Sequence, residues 1–319
     1  MGELLGRSLA QHVDEFTLGG GVESLPKFDY EVSLISLPLL FDTREDTIPT
    51  NVPYLYADPM ALNGWCKRLA KEKRLKVGLV WTGSHGHQRN PYRRVGLERY
   101  VDYFREPDDV AFYSLQPGAG ADVAAARTAG LDIAEHTSEF KTFDDTAAYI
   151  GALDLVITVC TLVAHLSGAI GQRTWVLLDL NPHWVWLLDR RDSPWYPTAS
   201  LYRQPQFGQW EPVFDEATRD LAALANARLR SSKGFIPARS ARLARPPSPR
   251  VRGRSHLQDT RDTSTRCPLA AHRRAARASL HTSTPTGRRA RRNQTRGDSA
   301  GSVHWTYWRI RVIRIWADS

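Results

Sequence analysis

Between residues 75 and 178, short apolar runs rich in β-branched residues alternate with amphipathic stretches of about helix length. The runs fall at 75–81, 110–115, 131–135, 155–159 and 174–178, with candidate helices at 97–104, 121–129, 144–152 and 162–170. That rhythm is the one βαβ units produce. Strands apolar at successive rather than alternate positions are covered on both faces, as in a parallel sheet sandwiched by helices. The pattern predicts an α/β fold with an open, Rossmann-like sheet. Gly151 and Gly171 close the last two helices, where a terminal residue often takes positive φ. Asp144, Asp145 and Thr146 open their helix, where carboxylates and hydroxyls cap free amides and complement the dipole.

The flanks read differently. Residues 1–60 hold one candidate strand, 32–37, followed by a passage punctuated with proline from Pro38 to Pro59. They are too few to close a Rossmann domain, but could supply its last strand and helix or pack on the sheet edge. After Arg230 the composition turns to Arg, Ser, Pro, Thr and Ala with few apolar residues until Val303. Such a segment buries too little surface to offset its ordering entropy and is expected to be disordered. The expected organisation is therefore 1–60, a sheet domain over 61–230, and a tail over 231–319.

Charge reinforces that division. The net charge of +9 comes from 23 basic and 30 acidic residues up to Arg230, against 20 basic and 4 acidic beyond it. A basic chain suggests a nucleic-acid partner, but here only the tail is basic. Cys66, Cys160 and Cys267 form no C-x-x-C pair, which argues against a disulfide scaffold or a cysteine zinc site and for reduced thiols in cytoplasm. The N-terminus has no apolar stretch of the secretory type, and no run reaches the length of a membrane span.

In open α/β sheets ligands bind beyond the carboxyl ends of the strands, where strand order reverses. After the first run comes Trp81-Thr82-Gly83-Ser84-His85-Gly86-His87-Gln88-Arg89-Asn90-Pro91-Tyr92-Arg93-Arg94. Gly83 and Gly86 permit close backbone approach, and the arginines offer planar forks for phosphate oxygens. The loop has neither dinucleotide-fingerprint nor Walker spacing, and a solvated basic loop has the same composition. After the fourth run, Cys160-Thr161-Leu162-Val163-Ala164-His165 leads from strand into helix. Thr161 sits at the helix N-terminus and His165 four residues on, along the same face. A lone histidine there also reads as a satisfied core residue. After the fifth run, 180–197 packs three Trp, one Tyr and four charges into eighteen residues. It includes Trp195, and suits either stacking on a base or sugar or a hydrophobic plug under a loop.

The strings VGLVWTGSHGHQRN, FDDTAAYIGALDLVITVCTLVAHLSGA and HWVWLLDRRDSPWYP, with FDYEVSLISLPLLFDTREDTIP upstream, resemble a known family. It is the glycosyltransferase region at the C-terminus of bacterial tetratricopeptide-repeat proteins, similar to the heptosyltransferases of glycosyltransferase family 9 and more distantly to O-linked N-acetylglucosamine transferases. The resemblance covers about residues 25–220. It implies a GT-B fold, with a nucleoside diphosphate sugar on the C-terminal Rossmann-like domain and an acceptor, protein or glycan, on the N-terminal one. Residues 1–60 then correspond to a remnant of the acceptor side. Thr161 and His165 match the D-T-x-x-x-H-L motif that contacts the donor diphosphate, and Arg93 falls where the family has a basic residue for the phosphates. Gln116, Asp145 and Thr146 also match, and Gly83, His87, Cys160 and Trp195 complete the expected donor-binding set. No cofactor is implied, and no D-x-D metal motif occurs.

The sequence departs from that family in three ways. Cys160 stands where the motif has aspartate, replacing a carboxylate by a thiol. The early stretch that carries the candidate base in related heptosyltransferases is missing, as are tetratricopeptide repeats. The tail reads like an unrelated frame of GC-rich coding sequence. The resemblance thus implies sugar transfer from a nucleoside diphosphate donor. The alternatives are an inactive nucleotide-sugar-binding fragment and a nucleic-acid-associated protein acting through its basic tail.

Overall fold

The computed structural model describes residues 2–10, 12–13, 32–105 and 108–233. Strands β1 (Leu75–Val80), β2 (Val110–Ser114), β3 (Ile133–Ala134), β4 (Leu155–Val159), β5 (Thr174–Leu178) and β6 (Ala199–Arg203) form one sheet in the order β3-β2-β1-β4-β5-β6. Every pairing along it is parallel. The helices are α1 (Gly2–Leu9), α2 (Leu37–Leu40), α3 (Pro59–Arg68), α4 (Asn90–Arg93), α5 (Leu97–Phe104), α6 (Gly120–Thr128), α7 (Phe143–Gly151), α8 (Leu162–Ala169) and α9 (Glu211–Lys233).

Both faces of the sheet are buried, which is why its strands read as unbroken apolar runs. Val77 and Leu79 of β1, Phe112 of β2, Ile157 of β4 and Leu177 of β5 face one core, shared with Tyr100 and Phe104 of α5 and Phe214 of α9. On the other face, Val80, Tyr113 and Val156 pack with Tyr149 and Ile150 of α7, and Leu4 of α1 joins them. Gly78 marks the closest approach there. A Cβ on it would lie 2.6 Å from Leu115 Cδ1 and 2.7 Å from Leu153 Cδ1, so a larger residue forces those side chains apart.

Strand order reverses between β1 and β4, whose register pairs Val77 with Leu155 and Val80 with Thr158. Their carboxyl ends are therefore level, and the loops that follow emerge side by side. This is the crevice where open α/β sheets take their ligands.

Several sequence expectations change. Residues 34–40 form no strand: a 3-10 turn at Leu34–Ser36 runs into α2. Pro38 explains this, since proline suits the first turn of a helix but cannot donate to a sheet ladder. The third strand shrinks to two residues, because only Phe112 and Tyr113 pair with it. Gly171 takes φ of 77° as expected, whereas Gly151 is the last residue of α7 and takes no positive φ. Cys160 is free and buried, and Cys267 lies outside the described residues.

None of the apolar runs or amphipathic stretches named above falls at β6, α1, α3 or α9. Helix α9 has an apolar stripe, Val213, Phe214, Ala217, Leu221 and Ala225, at helical spacing, and it continues past the composition break at Arg230. The tail expectation beyond residue 233 lies outside the described residues.

The described parts of residues 2–60 pack against the sheet domain. Arg7 donates to both carboxylate oxygens of Asp144 at 2.9 and 2.5 Å, and the same carboxylate accepts the Asp58 amide at 3.0 Å. The amide of Tyr54 reaches Ala169 O at 3.0 Å. Asp144 thus ties the N-terminal segment to the first turn of α7.

Candidate functional site

The loop after β1 is shaped by a buried asparagine. Asn90 donates through Nδ2 to Thr82 Oγ1 at 3.1 Å and accepts the Gly83 amide on Oδ1 at 2.9 Å, folding residues 82–90 back on themselves. Gln116, just beyond β2, accepts the Thr82 amide at 3.3 Å. Arg89 crosses to the loop after β5, pairing with the buried Asp179 at 3.1 Å and donating to Asn181 O. Three strand ends are thereby held together.

Arg93, on α4, reaches the end of β4. Its Nη1 donates to Cys160 O at 2.8 Å, while its Nε–H is buried and has no hydrogen-bond partner among the described residues. A buried guanidinium donor without a partner is costly, and an anionic oxygen is the group that would satisfy it. Gly83 makes room for this arrangement: a Cβ there would overlap the guanidinium itself.

The fourth strand runs directly into α8 through Thr161. This residue is the N-cap, with extended backbone at φ −136°, yet its side chain makes no capping bond. Its hydroxyl lies 3.2 Å from that of Thr158 instead. The Ala164 amide turns back to Thr161 O at 3.1 Å, so the amides of Leu162 and Val163 are the ones presented at the end of the helix where the dipole favours negative charge.

One turn along, His165 stacks on Trp186 with centroids 5.1 Å apart and planes inclined by 19°. Its Nδ1 lies 3.1 Å from Tyr196 Oη. Burial, with a smaller contribution from neighbouring His183, pushes the imidazole down to about 4. At neutral pH it is uncharged and can offer a hydrogen bond but no formal charge. His87 is also lowered, by burial and then by Arg93, Arg89 and His183. Cys160 Sγ accepts the Trp186 indole N–H at 3.2 Å, so the thiol is engaged in the wall rather than presented freely.

These groups line a cleft of about 920 Å³ at the switch point of the sheet. Of the residues singled out from sequence, Gly83, His87, Arg93, Gln116, Cys160, Thr161 and His165 line it together. Asp145, Thr146 and Trp195 do not. Asp145 accepts the Lys141 and Thr142 amides at 2.9 and 2.8 Å in a capping box with Thr142, the capping arrangement its position allowed. Thr146 donates to Thr142 O at 3.4 Å. Trp195 packs edge-on to Trp184 at 6.1 Å, beside the cluster of Trp186, Val185 and Tyr196. The aromatic loop is therefore mostly a plug supporting His165 from behind, with Pro182 and His183 reaching the cleft.

Arg89 was legible as one of the loop arginines, but its partner Asp179 was not, and Phe143, His183 and Tyr196 lay in the quoted segments with no place of their own in the site. Asp179 carried the one available signal, a carboxylate at the carboxyl end of a strand. Among the described residues no group of three or more His, Cys, Asp or Glu could hold a metal ion, and no helix is long and apolar enough to cross a membrane.

The chain is thus an α/β protein with a six-stranded parallel sheet and a basic cleft at the reversal of strand order. No family model matches it. It is 29% identical over 226 residues to Protein FlbA of Caulobacter vibrioides, a match covering 68% of this chain and 37% of that protein. It therefore spans little more than a third of the length of that relative. Among solved structures it is similar to ADP-heptose lipopolysaccharide heptosyltransferase II of Escherichia coli, at 14% identity and a TM-score of 0.38, covering 59% of this chain and 57% of that one. A glycosyltransferase of family 9 from Veillonella parvula gives 14% identity and a TM-score of 0.38, over 56% and 53% of the two chains. Galactitol-1-phosphate dehydrogenase of Escherichia coli gives 13% and 0.24, over 60% of each.

Proposed function

We propose that the cleft binds the diphosphate of a nucleoside diphosphate sugar, and that the chain is the donor-binding part of a GT-B glycosyltransferase of the heptosyltransferase kind. The carrying observation is the convergence on one cleft of the unpartnered Arg93 Nε–H, the first turn of α8 and the neutral imidazole of His165. The motif resemblance supports the same reading, since Arg93, Thr161 and His165 are the positions matching the family's diphosphate contacts.

In sugar transfer an acceptor hydroxyl attacks the anomeric carbon, the bond to the diphosphate breaks, and negative charge grows on the departing diphosphate. Preorganised donors aimed at that charge lower the barrier. Arg93 supplies full positive charge, α8 supplies amides and its dipole, and His165 supplies a hydrogen bond. Gly83 keeps the backbone close to the phosphates while leaving the guanidinium its place.

A second reading, donor binding without transfer, is favoured by a specific observation. Asp179 is the one carboxylate among the residues lining the cleft, and it is already paired with Arg89. Cys160, in the position of the motif aspartate, spends its sulfur on Trp186. An acceptor-activating base is therefore not assigned to this chain.

Calorimetric titration of the full chain with uridine, guanosine and adenosine diphosphates, their sugar conjugates and the free nucleosides tests the reading. Diphosphates should bind, one base should be preferred, and free nucleosides should bind far more weakly. A sample that melts cooperatively and binds no diphosphate would refute the proposal.

A further inference from the structure

The hydroxyl of Tyr196 touches no described residue of the cleft except through His165. Its ring is buried, packed beside Trp186 at 5.9 Å, and seated over Gly168, where a Cβ would lie 2.5 Å from the ring. The backbone is fixed too: the Tyr196 amide donates to Ser193 Oγ at 3.3 Å, and its carbonyl accepts from Ala199 at 2.9 Å. Gly168 and His165 lie three residues apart on α8, so the helix presents a notch for the ring beside the imidazole it serves.

We propose that Tyr196 is a positioning residue for His165, donating its hydroxyl proton to Nδ1 and so keeping the imidazole proton on Nε2, available to a ligand in the cleft. The link from this tautomer to ligand binding rests on the diphosphate reading given above. The hydrogen bond that the Tyr196 hydroxyl makes is to His165 Nδ1. A phenol has one proton to give and lone pairs to receive another. The imidazole nitrogen is a much stronger base than a phenolic oxygen, so the Tyr196 proton goes to His165 Nδ1, 3.1 Å away.

The opposite order would leave Nε2 as an acceptor in the cleft that Arg93 and the start of α8 line with donors. Such an acceptor repels a phosphate oxygen. With the proton on Nε2, all three groups present hydrogen to the same anion.

Tyr196→Phe keeps the ring and removes the hydroxyl. Nitrogen-15 NMR of the histidine rings in the full chain should show His165 protonated on Nε2 in the wild type and a mixture of tautomers in Tyr196→Phe. Affinity for inorganic pyrophosphate should fall about fivefold in the variant, the scale of one ordinary hydrogen bond. A wild-type proton on Nδ1, an unchanged tautomer in Tyr196→Phe, or an unchanged pyrophosphate affinity in that variant would each overturn the proposal. Should Tyr196→Phe fail to fold, the wild-type tautomer alone decides it. A wild type that binds no pyrophosphate refutes the diphosphate reading, while the ring spectrum still decides whether Tyr196 sets the tautomer.

Discussion

Arg93→Ala lowers the affinity for a nucleoside diphosphate by about ten- to a hundredfold, the scale of ~1.5–3 kcal/mol for hydrogen bonds made by a charged group. The melting temperature changes little, because the side chain contributes one structural bond, to Cys160 O, and otherwise offers an Nε–H that nothing satisfies. Removing it relieves a buried unpaired donor as well as losing a contact, and the two effects on stability oppose each other. Arg93→Lys restores charge but not the planar fork and recovers the affinity only in part. Calorimetric titration of the three proteins with the preferred diphosphate checks this order. Equal affinities would remove Arg93 from the site.

Acid should destabilise the fold through His165. The imidazole titrates near 4 in the folded chain, against an ordinary value of 6.5 when unfolded. Between those values the unfolded chain binds a proton that the folded chain does not. Stability from this group is therefore complete above about pH 6.5 and declines as the pH falls toward 4. At about 1.4 kcal/mol per unit, the loss approaches ~3 kcal/mol across that window. His87 and His183, also lowered by burial, add in the same direction. Urea unfolding of the wild type at pH 7 and pH 4.5 should show the decline, and His165→Gln should flatten it. An identical pH dependence in His165→Gln would mean that the imidazole is not held neutral by the fold.

The sheet was legible where both faces are buried. Strands β1, β2, β4 and β5 lie in the interior of the sheet order, covered on both sides, and their apolar runs gave their positions to within a residue. The sheet edges were harder. β3 keeps only two paired residues and β6 carries Ser200 and Arg203 among its five, so neither presents a plain apolar run of the expected length. The segment before β1 misled for a related reason. Its apolar residues Ile35, Leu39, Leu40 and Phe41 are exposed, so hydrophobicity there did not mark a buried element.

The site was legible along the chain and not across it. Loops at strand ends named Gly83, Arg93, Thr161 and His165, because glycine, arginine and a helix start are local features. Contacts that depend on distant pairing left no such trace. Asp179 is known only through Arg89, ninety residues earlier, and Tyr196 only through His165. Asp145 and Thr146 show why a helix start is ambiguous: the same residue types serve it whether or not a ligand is nearby, and here Asp145 completes the capping box while Thr146 bonds back to Thr142 O.

The most direct measurement follows the backbone amides of Leu162 and Val163 and the Arg93 Nε–H by NMR while the full chain is titrated with a nucleoside diphosphate. If the cleft is a diphosphate site, these three signals shift together along one saturating curve, and the Asp145 amide, at the start of α7, stays in place. Saturable binding that moves the α7 start and leaves Arg93 and α8 untouched would contradict it.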